Sequence, residues 1–132
     1  MAVKIQRKVE FSMIDMANVA YYPRIFDLAH KVFEAAWETM CGVSYPILVN
    51  ERRVGFPVVS LTSSFHAPLR YGDVITATVA ITSIGTTSLG WTYAFANQHG
   101  ETVWTSEQTT VCVDMNTTVS YTHLTLPTTS SV

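Results

Sequence analysis

Apolar residues open the chain at Val3, Ile5, Val9 and Phe11, and this spacing of two predicts a half-buried strand. An irregular stretch follows from Ser12 to Tyr22, after which the period changes. From Pro23 the apolar positions Ile25, Leu28, Ala29, Val32, Phe33, Ala36, Trp37 and Met40 recur at three and four. Asp27, Lys31, Glu34 and Glu38 fill the other face, so the pattern predicts an amphipathic helix from Pro23 to about Met40. Such a helix is about 27 Å long. Pro23 suits its first position, where the missing N–H would be unpaired anyway, and Gly42 suits the position just past its end. After a loop through "GVSYPILVNERRVGFP", strand-like runs follow at about Val58–His66, Val74–Ile84, Ser88–Asn97 and Glu101–Val113. Turn signals at "RYGD", "IGTTS" and "NQHGE" separate them. One strand, one long helix and an antiparallel meander give an α+β architecture, with the helix on one face of the sheet.

Composition adds an expectation about assembly. The 132 residues are one domain's worth, 48% apolar and only 14% charged, where a soluble domain typically has about 25% charged residues. The helix is also more apolar than one covering sheet demands. A sheet that wraps the helix, with subunits pairing edge to edge, accounts for both. No apolar run approaches the roughly 18 to 20 residues of a membrane span, and the start of the chain lacks a signal-like apolar core. The expectation is a soluble cytoplasmic protein. A net charge of −2 without a basic stripe argues against nucleic acid as a partner. His30, His66, His99 and His123 have no metal-ligand spacing, so no metal site is expected. Cys41 and Cys112 read as buried thiols.

The end of the chain breaks the pattern. From Met115 to Val132 there is no charged residue and no glycine, and "VSYTHLTLPTT" looks like the translated read-through of a transposase sequencing adapter. On that reading the domain is 1–118 and residues 119–132 are a non-native tail. An ordinary flexible tail is the alternative.

Candidate chemistry centres on Asp15, the one charged residue in "SMIDMANVAYYP". An N-cap sits next to the first helical residue, and Asp15 stands too early for that. It either hydrogen-bonds the loop backbone as an Asx turn or presents a carboxylate toward the helix start. Spacing alone does not separate the two. The second role has a natural complement, because the N–H groups and macrodipole of a helix N-terminus stabilise a developing oxyanion.

Three segments in order, "VEFSMIDMANVAYYPRIFDLA", "GFPVVSLTSSFHAPLRYGD" and "ITSIGTTSLGWTY…TVCVD", resemble the 4-hydroxybenzoyl-CoA thioesterase-like branch of the hotdog-fold acyl-CoA thioesterases. The resemblance runs from about Val9 to Asp114. It implies a central helix wrapped by a five-stranded sheet, active sites between two subunits of a dimer, dimers often paired into homotetramers, and no cofactor. It implies hydrolysis of an acyl-CoA with Asp15 as nucleophile or general base and the Tyr22 backbone amide polarising the thioester carbonyl.

The chain departs from the family pattern at several positions. Asn18 stands where the family usually has glycine, and asparagine tolerates positive φ better than most residues. In hydroxybenzoyl-specific members an acid on the helix and a threonine before the "P-x-V-S" strand read the ring hydroxyl. His30 and Phe56 occupy those positions here, which argues against 4-hydroxybenzoyl-CoA while keeping both residues as acyl-pocket candidates. The hairpin that supplies arginines for the CoA phosphates in some members is "SIGTTS" here, without a cation. Arg52, Arg53 and Arg70 are substitutes, of which Arg70 is the candidate substrate-binding residue. On "VSLTSS" the hydroxyls of Ser60, Thr62 and Ser64 share one face, making Thr62 a candidate lining residue toward a neighbouring subunit. A non-catalytic acyl-CoA or acyl-carrier binding module on the same fold is the alternative function. A hotdog hydratase would need an Asp and His pair that the order of residues does not supply.

Overall fold

Residues 2–15, 17–18, 22–116 and 119–120 are described by the structure, a computed structural model. Strand β1 (Ala2–Lys8) leads through a short 3-10 turn at Phe11–Met13 to helix α1 (Tyr22–Cys41). A second, short helix α2 (Tyr45–Asn50) follows, then β2 (Val54–Gly55), β3 (Val58–Phe65), β4 (Val74–Ile84), β5 (Ser88–Ala96) and β6 (Thr102–Val111). Two small strands, β7 (Val113–Asp114) and β8 (Val119–Ser120), close the described chain. The long strands form one antiparallel five-stranded sheet in the order β1-β4-β5-β6-β3, and β2, β7 and β8 make a separate ladder. This is the α+β architecture read from the sequence.

The helix and sheet meet because their two periods present matching apolar faces. Ile25, Leu28, Ala29, Val32, Phe33, Ala36 and Trp37 of α1 are buried, as are Ile75, Ala77 and Val79 of β4 and Leu89, Trp91, Tyr93 and Phe95 of β5. Trp91 sits at the centre, its ring centroid 5.0 Å from Phe33 and 5.8 Å from Trp37. Its indole N–H donates to the buried Thr110 hydroxyl at 2.9 Å, which explains a threonine on the inward side of β6.

The turn signals hold. Asp73 N–H donates to the Arg70 carbonyl, Gly85 N–H to Ser88, and Gly100 N–H to Asn97, all at 2.8 to 3.0 Å. Gly42 ends α1 with φ +70°, its N–H donating to the Glu38 carbonyl at 2.9 Å. An added Cβ there meets nothing within 4 Å, so only the left-handed backbone opposes one. Gly42→Ala is expected to cost about 1 kcal/mol in urea unfolding.

Two expectations need correction. Phe11 does not extend the first strand: Val9 is buried and pinned to the 70–73 turn through Asp73 and Gly72, and the chain then bends. Phe11 ends up 72% exposed, edge-on to Tyr71 at 5.7 Å. The stretch expected to be a plain loop contains α2, whose single buried residue is Leu48. The tail reading falls on residues 121–132, outside the described residues, apart from Val119 and Ser120, which pair with Asp114 and Val113.

Candidate active site

The loop ahead of α1 is a turn organised by Asp15. Its Oδ1 accepts the Ala17 N–H at 2.9 Å and its carbonyl accepts the Asn18 N–H at 3.1 Å. Asn18 takes φ +62°, the left-handed conformation that a glycine would adopt more cheaply. Asp15 is exposed to solvent, and Tyr22 is the first residue of α1, with Pro23 second. Of the two earlier possibilities for Asp15, the Asx turn is present in this geometry, and the carboxylate remains at the surface. The first N–H groups of any helix lack an intrahelical acceptor, which leaves donors at the Tyr22 end.

Farther along α1, a cavity of about 250 Å³ opens between the helix, α2, the start of β3 and the inward face of β5 and β6. Phe26, Phe33, Tyr45 and Phe56 supply aromatic walls, and Leu61 and Val58 supply aliphatic ones. Helix α2 positions Tyr45, whose ring lies 5.3 Å from Phe33 and whose hydroxyl accepts the Phe56 N–H at 3.0 Å. Burial raises the Tyr45 phenol above its ordinary value, partly offset by that hydrogen bond. Tyr93 is 3% exposed, and burial pushes its phenol far above the usual tyrosine range, so both hydroxyls are neutral at physiological pH.

The structure brings two of the four candidate substrate residues together. His30 and Phe56 both line the cavity. His30 stacks on Phe33 at 5.7 Å, and its Nε2 lies 3.1 Å from the Glu34 carboxylate, an ion pair when the ring is protonated. Phe56 is buried against Trp37 at 4.7 Å. Thr62 pairs with Glu107 on the sheet face opposite the helix, outside this cavity. Arg70 is exposed in the turn before β4, where Asp73 Oδ2 accepts its N–H at 2.8 Å. Arg53 is occupied elsewhere: its guanidinium donates to Asn116 Oδ1 at 2.9 Å and to the Val49 carbonyl of α2 at 3.3 Å.

Sequence reasoning missed two groups of residues. Tyr93 and Gln108 line the cavity from the sheet. They were hidden among core positions, although a glutamine on an inward strand position is itself a signal that something polar must meet it. The other group is a cleft of about 240 Å³ between the end of β1 and the first turns of α1, holding Arg7, Lys8, Arg24 and Lys31 with Glu10 and Asp27. Half of the chain's eight cations meet there, beside the Asp15 loop, though they are scattered in sequence. Among the described residues no cluster of His, Cys, Asp and Glu is arranged to hold a metal ion.

Comparison with known proteins identifies the family and the fold. The profile of the Thioesterase superfamily matches residues 17–104, beginning two residues after Asp15. A 1,4-dihydroxy-2-naphthoyl-CoA hydrolase of Crocosphaera subtropica is 24% identical over 110 residues, covering 83% of this chain and 80% of its own. The solved structure of a gentisyl-coenzyme A thioesterase superposes with a TM-score of 0.79 at 21% identity, over 98% of both chains. A Staphylococcus aureus protein solved in complex with CoA superposes with a TM-score of 0.82 at 17% identity, over 94% of this chain and 77% of its own. The two structures speak to the fold, which is the hotdog arrangement of one long helix against a five-stranded antiparallel sheet. The family match spans most of the chain, and on that match the protein belongs to the thioesterase superfamily.

Proposed function

We propose that this protein hydrolyses an acyl-CoA thioester to the free acid and CoA, with Asp15 as nucleophile or general base and the N-terminus of α1 as the oxyanion site. The observation that carries the reading is an exposed carboxylate held in a turned loop ahead of a helix start, in a chain of the thioesterase superfamily. In the general-base form, Asp15 takes a proton from water as its oxygen adds to the thioester carbon. The carbonyl oxygen becomes an oxyanion, stabilised by the Tyr22 N–H and the helix dipole. Collapse expels the CoA thiolate, which takes up a proton. Cations of the cleft beside the loop suit the CoA phosphates, with Arg70 a further candidate.

The aromatic walls favour an aromatic acyl group in the cavity beside His30 and Phe56, and the names of the relatives point the same way. We place the working site between two subunits. Strand β3 ends the sheet with its outer edge uncovered, contains no charge or proline, and exposes Val59, Leu61 and Phe65. Such an edge invites a second strand. If two copies pair antiparallel through β3, the Phe65 end of one lies beside the Val58 end of the other. Phe65 touches Phe26 near the start of α1, and Val58 lines the cavity. Each helix start then faces the cavity of the partner subunit. A homodimer, or a tetramer built from it, is the expected assembly, acting in the cytoplasm, where its two buried free thiols suit a reducing environment.

Replacing Ser60 and Ser64 together by lysine puts four like charges along that seam. The double variant is expected to elute as a folded monomer by light scattering and to lose at least about tenfold in turnover. An unchanged mass would count against the seam.

Thiol release from a panel of aliphatic and aromatic acyl-CoAs tests the reaction itself. Release from none, with saturable binding of acyl-CoA, would favour the second reading, a non-catalytic binding module on the same fold.

A further inference from the structure

The cavity has a polar floor that its aromatic walls do not need. Gln108 faces the helix side of β6, opposite Trp91 on β5 and Leu61 on β3. Its Nε2 donates to the Ser106 hydroxyl at 3.2 Å, and that hydroxyl donates to the Thr62 carbonyl at 2.7 Å. Ser106 has one proton and gives it to Thr62, so toward Gln108 it can only accept. This fixes which end of the amide is nitrogen and leaves Oε1 as an acceptor. Tyr93 lies on the neighbouring strand, two register positions away on the same face. Such diagonal neighbours are about 7–8 Å apart, close enough for one ligand group to meet both side chains. Among the described residues no hydrogen-bond partner meets the Tyr93 hydroxyl, although its side chain is almost wholly buried at the cavity.

We propose that Tyr93 and Gln108 are the specificity-determining pair of this cavity, selecting a ring-bearing acyl group with a neutral hydroxyl over a bare hydrocarbon acyl group or one ending in a carboxylate. The proposal rests on the reading of the cavity as the acyl site. A ligand hydroxyl donates to Gln108 Oε1 and accepts from the Tyr93 hydroxyl, satisfying both with one atom. An unsubstituted ring shuts both groups off from water and leaves them unpaired. A carboxylate sets its charge against the Oε1 lone pairs in a poorly solvated space. Phe26 and Phe33 line the cavity from the helix side, where the ring would lie against them.

The test compares kcat/KM for benzoyl-CoA, its three monohydroxy isomers and 4-carboxybenzoyl-CoA. The best hydroxy isomer is expected to exceed benzoyl-CoA by roughly 10- to 100-fold, because a site that hydrogen-bonds a hydroxyl rejects the analogue lacking it. Tyr93→Phe and Gln108→Met should each cut that ratio at least about fivefold. A wild-type ratio within about twofold of one, or a ratio that neither variant moves, overturns the pair while leaving hydrolysis intact. If no ester releases thiol, the hydrolysis reading fails. The pair is then judged by calorimetry with the inert thioethers S-phenacyl-CoA and S-(hydroxyphenacyl)-CoA: equal Kd values overturn it, and a hydroxyl preference lost in the variants supports it. Should Tyr93→Phe melt early, Gln108→Met carries the comparison.

Discussion

Asparagine at position 15 is expected to lower kcat about a hundred- to ten-thousandfold while moving the melting temperature by no more than about 2 °C. The substitution separates the turn that Asp15 makes from the catalytic role proposed for it. Asparagine keeps an Oδ1 that can accept the Ala17 N–H, now at 2.9 Å, so the Asx turn and the left-handed Asn18 survive. The charge is lost, and with it both nucleophile and base. Asp15→Ala would remove turn and charge together and is the less informative variant. Thiol release with a chromogenic disulfide is the readout. Turnover within about threefold of wild type would sink the role of Asp15.

The largest expected loss of stability follows removal of the central ring. Trp91→Ala deletes a side chain that is 1% exposed and packed on both Phe33 and Trp37. Large-to-small changes of this kind cost about 3–5 kcal/mol, against a total of about 5–15 kcal/mol for a domain. The buried Thr110 hydroxyl also loses its partner. Phenylalanine substitutions separate the hydrogen bond from the packing. Trp91→Phe strands Thr110, whereas the Trp37 indole nitrogen has no partner among the described residues. Trp37→Phe should therefore cost less than Trp91→Phe, by about 1 kcal/mol in guanidinium unfolding.

Much of this fold was legible because its two signals are long. Eight apolar positions at helical spacing specify α1 and the face it buries, and alternation along β5, and along β4 as far as Val79, specifies which side of each strand meets it. Helix α2 was not legible, since six residues make too few turns for a periodicity to show. Phe11 continued the alternation on paper, but Val9 is where the 70–73 turn ties off the strand. The candidate site was legible in parts. The turn at Asp15 and the tolerance of Asn18 for positive φ followed from residue type. The meeting of His30 with Phe56 depended on a matched family pattern, because 26 positions separate them in the chain. Tyr93 was invisible for a different reason. An inward strand position reads as core whether its side chain ends in a methyl or a hydroxyl, and only the cavity distinguishes the two.

The strand order also governs when this molecule can become itself. Helix α1 is made before β3, β4, β5 and β6, and β1, though made earlier, must wait for β4 to pair Ala2 with Ala80. The edge strand β3 waits longer still, for β6 at Trp104 to Thr110. During synthesis an apolar helix and a bare, uncharged strand are therefore exposed together until the last long strand is made. Contacts of such wide sequence separation make folding slow. Its waiting surfaces are the ones a chaperone would hold, and the proposed seam between subunits can only form after translation of the sheet is complete.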